Sequence, residues 1–275
     1  TIPITITFSE AVTVSGTPQL TLETGLSDAV VNYTSGSGGS TLTFNYTVLS
    51  GHNSSNLDYV SSSALSLNSG SIADAAGNNA TLTLVSPGAT ASLGSNKSIV
   101  IDGIVPTISI VTSTSSDGNY SAGDVIPISI LFSESVTVSG TPQLTLETGS
   151  SDAVVDYSTG SGTPTLIFNY TVASGHTSSD LDYASTSALA LNSGTVNDAA
   201  GNASILTLSS PGSVTSLGGQ KGFIIDTTPA TVSSVTSSAN NGTYKINDVI
   251  AITVAFSEVV TVSGTPQLTL ETGSS

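Results

Sequence analysis

The stretch Val14–Gly25, VSGTPQLTLETG, recurs unchanged at Val138–Gly149 and at Val262–Gly273. The three starts lie 124 residues apart. Within the stretch, Leu20 and Leu22 alternate with polar residues, which is the period of two expected for a half-buried β-strand. A fixed period of this length is typical of a repeat array in which each copy is one structural unit.

The Ile-Asp segments that precede Pro106 and Pro229 separate the copies. They predict three units: 1–103, a module lacking its first strand; 104–226, a complete module; and 227–275, the first strands of a third. Residues 2–4 match 126–128, inside a strand, so we expect the sequence to be a window on a longer array.

Alternating apolar residues predict an all-β fold. Leu166, Phe168, Tyr170 and Val172 alternate with Ile167 and polar residues, and Gly/Ser clusters punctuate the strands as turns. No segment has a convincing helical period. Seven to nine short strands in about 120 residues favour tandem immunoglobulin-like β-sandwich modules. Further strands are predicted at 107–112, 153–158, 188–192, 204–209 and 222–226. The predicted core centre is Phe132, Phe168, Tyr170, Leu144 and Leu146.

Composition excludes several classes of function. Only 8% of the 275 residues are charged, and 19 Asp and Glu against 3 Lys and Arg give a net charge of −16. Binding to nucleic acid or to anionic lipid needs clustered basic residues, so neither is expected. The absence of cysteine excludes disulfides and thiolate metal sites. No apolar run approaches the roughly 20 residues that span a bilayer, so no membrane insertion is predicted.

An ordered set of motifs covers essentially the whole chain. It comprises FSExVTVSGTPQLTL at 132–146, LxFNYTV at 166–172, DAAGN at 198–202 and Ile-Asp followed by Pro at 225–229. The set resembles the bacterial Ig-like repeats of giant secreted adhesins and extracellular surface fibres. That resemblance implies an Ig-like fold and an extracellular structural or adhesive role, and members often bind calcium between modules.

No catalytic constellation is apparent, and the chain is not expected to be an enzyme. The only histidines, His52 and His176, stand in Gly-His-x-Ser-Ser loops and are interpreted as exposed turn residues. The stretch 36–40, GSGGS, lacks a following lysine and is predicted to be a hairpin turn and not a phosphate loop. The eight tyrosines are expected to pack in the core or at its rim.

Calcium binding is predicted at the junction between modules. Tracing strand direction brings Glu134 and the 198–202 loop to the end of the complete module that faces Asp102 of the preceding copy. Carboxylate and Asn oxygens are ligands that Ca²⁺ prefers. The predicted ligands are Asp102, Glu134, Asp198 and Asn202, with Asp226 and Glu258 at the next junction and Glu10, Asp74 and Asn78 in the first copy.

Two other interpretations of acidic loops stay open. Asp198 and Asn202 can simply cap a tight turn, with Glu134 solvated. The loop 117–121 begins like an EF-hand, but Lys245 stands at the matching place in the third copy, so we interpret this loop as a turn.

The leading functional hypothesis is a structural or adhesive module at the cell surface, repeated into a rod or filament to which each copy adds roughly 35–45 Å. Its expected partners are neighbouring copies of the module and other copies of the chain. One alternative is a carbohydrate- or protein-binding module of a cell-surface protein. A second alternative is a filament subunit, because residues 230–258 of another chain carry the strands that the first copy lacks and can supply them by strand donation.

Overall fold

A computed structural model describes residues 1–273 and is nearly all β, with 42% strand and 3% helix. Ser274 and Ser275, which the sequence assigns to the third unit, lie outside the described residues. Across the described part of the chain, no helix has the length and apolar character needed to cross a bilayer.

The first copy forms a six-stranded sheet and a two-stranded sheet. The larger sheet has the order β6-β2-β3-β4-β1-β7, and β5 pairs with β8 in the smaller one. The elements are β1 (Ile2–Ser15), β2 (Gln19–Leu22), β3 (Ala29–Ser35), β4 (Gly39–Tyr46), β5 (Asn53–Ser54), β6 (Leu65–Ser66), β7 (Ser71–Ala73), α1 (Leu93–Asn96) and β8 (Ile101–Asp102).

The second copy has the same strand order with two additional strands. Its larger sheet runs β16-β12-β13-β14-β11-β17, β9 adds to the free edge of β11, and β10-β18-β15 forms a second sheet. The elements are β9 (Ile108–Ser113), β10 (Gly118–Tyr120), β11 (Val125–Ser139), β12 (Gln143–Leu146), β13 (Ala153–Thr159), β14 (Thr163–Thr171), β15 (Thr177–Ser178), β16 (Leu189–Ala190), β17 (Thr195–Asn197), α2 (Leu217–Gln220) and β18 (Phe223–Asp226).

Strand register is the same in the two copies. Ile2 faces Tyr46 between β1 and β4, and Ile126 faces Tyr170 between β11 and β14. Between residues 227 and 273, the strands are the hairpin of β19 (Val232–Ser237) and β20 (Ile252–Phe256), whose residues are mostly exposed.

Each complete sheet buries its own hydrophobic cluster, one within residues 4–101 and the other within residues 111–225. The predicted core centre is confirmed, because none of its five side chains is more than 2% exposed: Phe132, Phe168, Tyr170, Leu144 and Leu146. The predicted hairpin turn at 36–40 is also confirmed, since it joins β3 to β4. Gly36 has φ +111° there, and a Cβ would collide with the Thr41 carbonyl.

The strand predicted at 204–209 is absent. The backbone N–H groups of Ser204, Ile205 and Leu208 donate to Val196, Pro106 and Thr186. These acceptors belong to three different segments, so no continuous ladder forms.

The turn predicted at 117–121 is wrong. Gly118–Tyr120 is a strand that pairs in parallel with β18, and the Gly222 N–H donates to Asp117 Oδ1 at 3.1 Å. The Tyr120 ring packs edge-on against Phe223 with centroids 5.3 Å apart. The packing of the half-buried Tyr120 ring on the buried Phe223 ring holds the segment extended.

The two helices, which the sequence did not predict, are single turns. Ser92 and Ser216 cap them by accepting hydrogen bonds from the N–H groups of Ser95 and Gly219. Four residues are too few to show a helical period, and each turn is fixed by its cap and its contacts.

Candidate metal centre

Asp102 lies at the end of β8, where the first copy ends. Its Oδ1 accepts a hydrogen bond from the N–H of Ile104 at 3.1 Å. The following residue, Gly103, donates to the His52 carbonyl at 2.7 Å and accepts from Gly51 at 2.8 Å. These two hydrogen bonds hold Gly103, and with it the backbone of Asp102, against the first copy.

Glu134 comes from the second copy, in the irregular middle of β11. Pairing between β11 and β14 shifts register between Leu131 and Val136, and such a bulge redirects side chains. Glu134 is half-buried, and its Oε1 is fully buried with no hydrogen-bond partner among the described residues. A buried carboxylate oxygen without a donor is unfavourable unless something else neutralises it.

Asp198 begins the turn that follows β17 and is 5% exposed. Its Oδ1 accepts from the backbone N–H of Asn202 at 2.8 Å, and its Oδ2 accepts from Asn202 Nδ2 at 2.7 Å. Gly201, at φ +92°, closes the turn in a conformation that glycine adopts readily.

Asn202 connects this turn to the linker, residues 103–107, which joins β8 of the first copy to β9 of the second. Its Nδ2 also lies 3.0 Å from the Asp102 carbonyl oxygen and 3.2 Å from that of Ile104. The sequence predicts that Asn202 is an oxygen ligand. In the structure its amide group donates to three oxygens, so it positions Asp198 against the linker.

Asp102, Glu134 and Asp198 each place one carboxylate oxygen within 4.8 Å of the other two. The predicted convergence of these three side chains is therefore confirmed. Burial raises the pKa of Glu134, and the charges of Asp102 and Asp198 raise it further. Such a group can hold a metal ion, which would offset the mutual repulsion. Two oxygens that each lie about 2.4 Å from a Ca²⁺ ion are at most about 4.8 Å apart, so the spacing fits.

The other predicted ligands do not form such a group. Asp74 and Asn78 make the same turn, with both Asn78 nitrogens 2.8 Å from the Asp74 carboxylate. Glu10 is exposed, as are Asp226 and Glu258. Within residues 1–273, the only acidic or histidine cluster of three or more is the one at Asp102.

The interpretation of the histidines as exposed was wrong for His52, which is 9% exposed, and His176 is half-buried. His52 Nδ1 lies 2.8 Å from the Tyr46 hydroxyl and accepts from the Leu49 N–H at 3.3 Å. The two rings stack with centroids 5.7 Å apart. Tyr170 and His176 repeat the arrangement. Each histidine thus orders the loop that clamps the linker, and a core tyrosine six residues earlier is the signal that would have identified it.

Most tyrosines are confirmed as core or rim residues. Tyr46, Tyr170 and Tyr183 are at most 1% exposed, and burial raises the pKa of Tyr170 to about 12. Tyr244, in the third unit, is the exception at 42% exposed.

Asp182 is a buried carboxylate that was not predicted from the sequence. It is 8% exposed and accepts hydrogen bonds from Tyr183 N (2.9 Å), Gly212 N (2.9 Å) and Ser216 Oγ (2.7 Å). The bonds from Gly212 and Ser216 hold the loop and the cap of α2, so the role of Asp182 is structural.

No family model, curated protein or solved structure matches the chain. The resemblance to bacterial Ig-like repeats therefore stays a prediction.

Proposed function

We propose that the chain is part of an extracellular rod of tandem Ig-like β-sandwich modules, repeated every 124 residues, with Ca²⁺ bound at the junction between modules. Its function is mechanical: it spaces or presents an adhesive surface and catalyses no reaction. Two separate hydrophobic clusters and matching registers at Ile2–Tyr46 and Ile126–Tyr170 support the modular part of the proposal.

The main support for the proposal is that the three carboxylates come from two different copies. Asp102 follows Ile101, which belongs to the first hydrophobic cluster, whereas Glu134 and Asp198 belong to segments packed on the second. An ion bound to all three would link the two copies across the linker. It would also neutralise charges that repel one another without it.

The chemistry of the group favours calcium over other cations. All three ligands are carboxylate oxygens, which suit hard cations, and no thiolate or imidazole belongs to the group. Ca²⁺ accepts irregular geometry and takes its remaining ligands from backbone carbonyls and water, whereas Mg²⁺ demands a near-ideal octahedron. Millimolar extracellular calcium is sufficient to load weak sites of this kind.

Thermal unfolding of the purified chain with and without Ca²⁺ tests the proposal. After treatment with chelator, adding Ca²⁺ should raise the unfolding midpoint of the 104–226 unit. At a calcium concentration 100 times Kd the gain is about 2.7 kcal/mol. For a unit of this size that corresponds to a shift of roughly 8–15 °C.

The repeats supply matched controls. Glu134→Gln should abolish the calcium-dependent shift, whereas Glu10→Gln and Glu258→Gln, at the equivalent positions, should leave it intact. The proposal would be contradicted if calcium does not shift the midpoint, or if all three variants abolish the shift equally.

A further inference from the structure

A polar notch of about 640 Å³ opens between β13 and β14 in the second copy. β13 pairs with β12 over residues 153–156 and with β14 only at Tyr157 and Thr159. The first half of β13 therefore diverges from the end of β14, and the notch occupies the space between the two strands. It is lined by residues 152–158, residues 169–171 and His176.

Backbone groups on both sides of the notch are directed into it. Thr145 on β12 donates its N–H to Ala188, on the side away from β13, so its pair with Val154 is not hydrogen-bonded. The N–H and C=O of Val154 therefore point away from β12. Val172 exchanges hydrogen bonds with the segment before β11, so the groups of the preceding residue, Thr171, point away from β11. Within the described residues, no strand pairing joins Val154 to Thr171 across the notch.

Two polar side chains of the notch are held in place by their neighbours. Asp156 is exposed, and its Oδ1 accepts a hydrogen bond from Gln143 Nε2 at 2.8 Å. Its Oδ2 has no partner among residues 1–273 and is available as an acceptor. Asn169 Nδ2 donates to Ser158 Oγ at 3.0 Å, which leaves the Asn169 amide oxygen as a further acceptor. Side chains that are already positioned lose less entropy when a ligand binds.

His176 supplies a donor in the same place. Its Nδ1 accepts from the Ala173 N–H at 3.3 Å and lies 2.9 Å from the Tyr170 hydroxyl. Because a backbone N–H can only donate, the proton of the neutral ring is on Nε2. In the part of the chain that the structure describes, Nε2 has no acceptor, and His176 is half-buried in the lining of the notch.

We propose that this notch binds a neutral saccharide. Adjacent sugar hydroxyls each donate and accept, which suits Asp156 Oδ2 as an acceptor and His176 Nε2–H as a donor. The backbone groups of Val154 and Thr171 add a donor and an acceptor on each wall, and a few placed polar groups of this kind fix the orientation of a ligand. Asp152 and Asp156 are acidic and no lysine or arginine lines the notch, so an acidic sugar is repelled.

NMR titration of the full chain tests this inference. The probes are glucose, galactose, mannose and N-acetylglucosamine, with glucuronate as the acidic control. At least one neutral sugar should bind and shift the amide signals of Val154 and Thr171, whereas glucuronate should leave both signals unchanged. All titrations are made in chelator, so their outcome is independent of the calcium proposal.

Asp156→Asn is the decisive variant, because its amide oxygen can still accept from Gln143 and the fold is kept. It should raise the Kd of the sugar roughly tenfold, since a hydrogen bond to a charged group is stronger than one to a neutral amide. Asn32→Asp is the matched control, because Asn32 is the exposed equivalent in the first copy and accepts from Gln19 at 3.0 Å. This control should not weaken binding.

Three results would overturn the inference. The first is that no neutral sugar shifts the signals of Val154 and Thr171. The second is that a VKVK tetrapeptide amide shifts them when no sugar does, which would indicate strand addition in the notch. The third is that Asp156→Asn binds the sugar with the Kd of the wild type.

Discussion

The turns at 74–78 and 198–202 have the same sequence, DAAGN, and share the hydrogen bonds from the Asn backbone and side chain to the Asp carboxylate, yet only the second belongs to a candidate metal centre. Among residues 1–273, no other carboxylate is grouped with Asp74, whereas Asp198 meets Asp102 and Glu134. The turn is therefore a product of local sequence, and the acidic cluster is a product of tandem arrangement. A single module would carry the turn without the cluster.

The equivalent aspartates Asp182, which is buried, and Asp58, which is half-buried, extend this comparison to the interior, and their removal should have the largest effect. Asp182→Ala leaves three donors without an acceptor, whereas Asp58 is half-buried and accepts from Tyr59 N and Gly88 N. We expect Asp182→Ala to lower the free energy of unfolding by about 3 kcal/mol and Asp58→Ala by about 2 kcal/mol. Urea unfolding followed by hydrogen exchange in each copy measures both losses. A larger loss of unfolding free energy for Asp58→Ala than for Asp182→Ala would contradict the expectation that the more deeply buried carboxylate contributes more to stability.

Asn202 and Asn78 test the linker contact directly, with a smaller effect. Asn202 Nδ2 donates to Asp102 O, Ile104 O and Asp198 Oδ2, whereas Asn78 Nδ2 donates, among the described residues, to Asp74 alone. Asn202→Ala should cost about 1–2 kcal/mol and speed hydrogen exchange in the linker, and Asn78→Ala should cost about 0.5–1 kcal/mol. If both variants changed hydrogen exchange in the linker equally, the Asn202 side chain would stabilise only the 198–202 turn.

The stability of the two copies should change in opposite directions as pH falls: the first copy loses stability and the second gains it in the absence of metal. This is the smallest expected effect. Hydrogen bonds from the Asn78 side chain and backbone lower the pKa of Asp74 below 3.8, so its stabilisation is present above that pH and is lost as pH falls through the lowered pKa. Burial and the neighbouring carboxylates raise the pKa of Glu134 above 4.5. Without metal, its ionisation therefore destabilises the fold, and acidification from neutral pH toward 4.5 removes the penalty.

Thermal melts in chelator across this pH range measure these trends. Acidification from neutral pH should raise the unfolding midpoint of the wild-type 104–226 unit relative to that of the Glu134→Gln variant. Only the wild type has a destabilising charge at residue 134 that protonation removes. Asp74→Asn should remove the corresponding acid sensitivity of the first copy. Parallel pH profiles of wild type and Glu134→Gln would show that the three carboxylates do not interact.

The sequence predicts the features that depend on local pattern. The alternation through Leu166, Phe168 and Tyr170 predicts their burial, because neighbouring side chains on a strand point to opposite faces. The meeting of Glu134 with Asp102 follows from counting strand directions, which needs only the order of the strands.

Features that depend on distant partners were missed. His52 is buried because Tyr46 and the linker cover it, and Asp182 is buried because the loop at Gly212 folds over it. The 117–121 segment resembles a turn in isolation and becomes a strand only beside β18. These outcomes depend on contacts between segments far apart in sequence, and no local period reports them.

Calcium binding by the whole chain, measured by titration calorimetry after removal of bound metal, tests the central claim most directly. We expect one ion per chain, loss of binding in Glu134→Gln, and unchanged binding in Glu10→Gln. An absence of calcium binding, or binding that Glu134→Gln leaves unchanged, would contradict the claim that neighbouring modules build the site together.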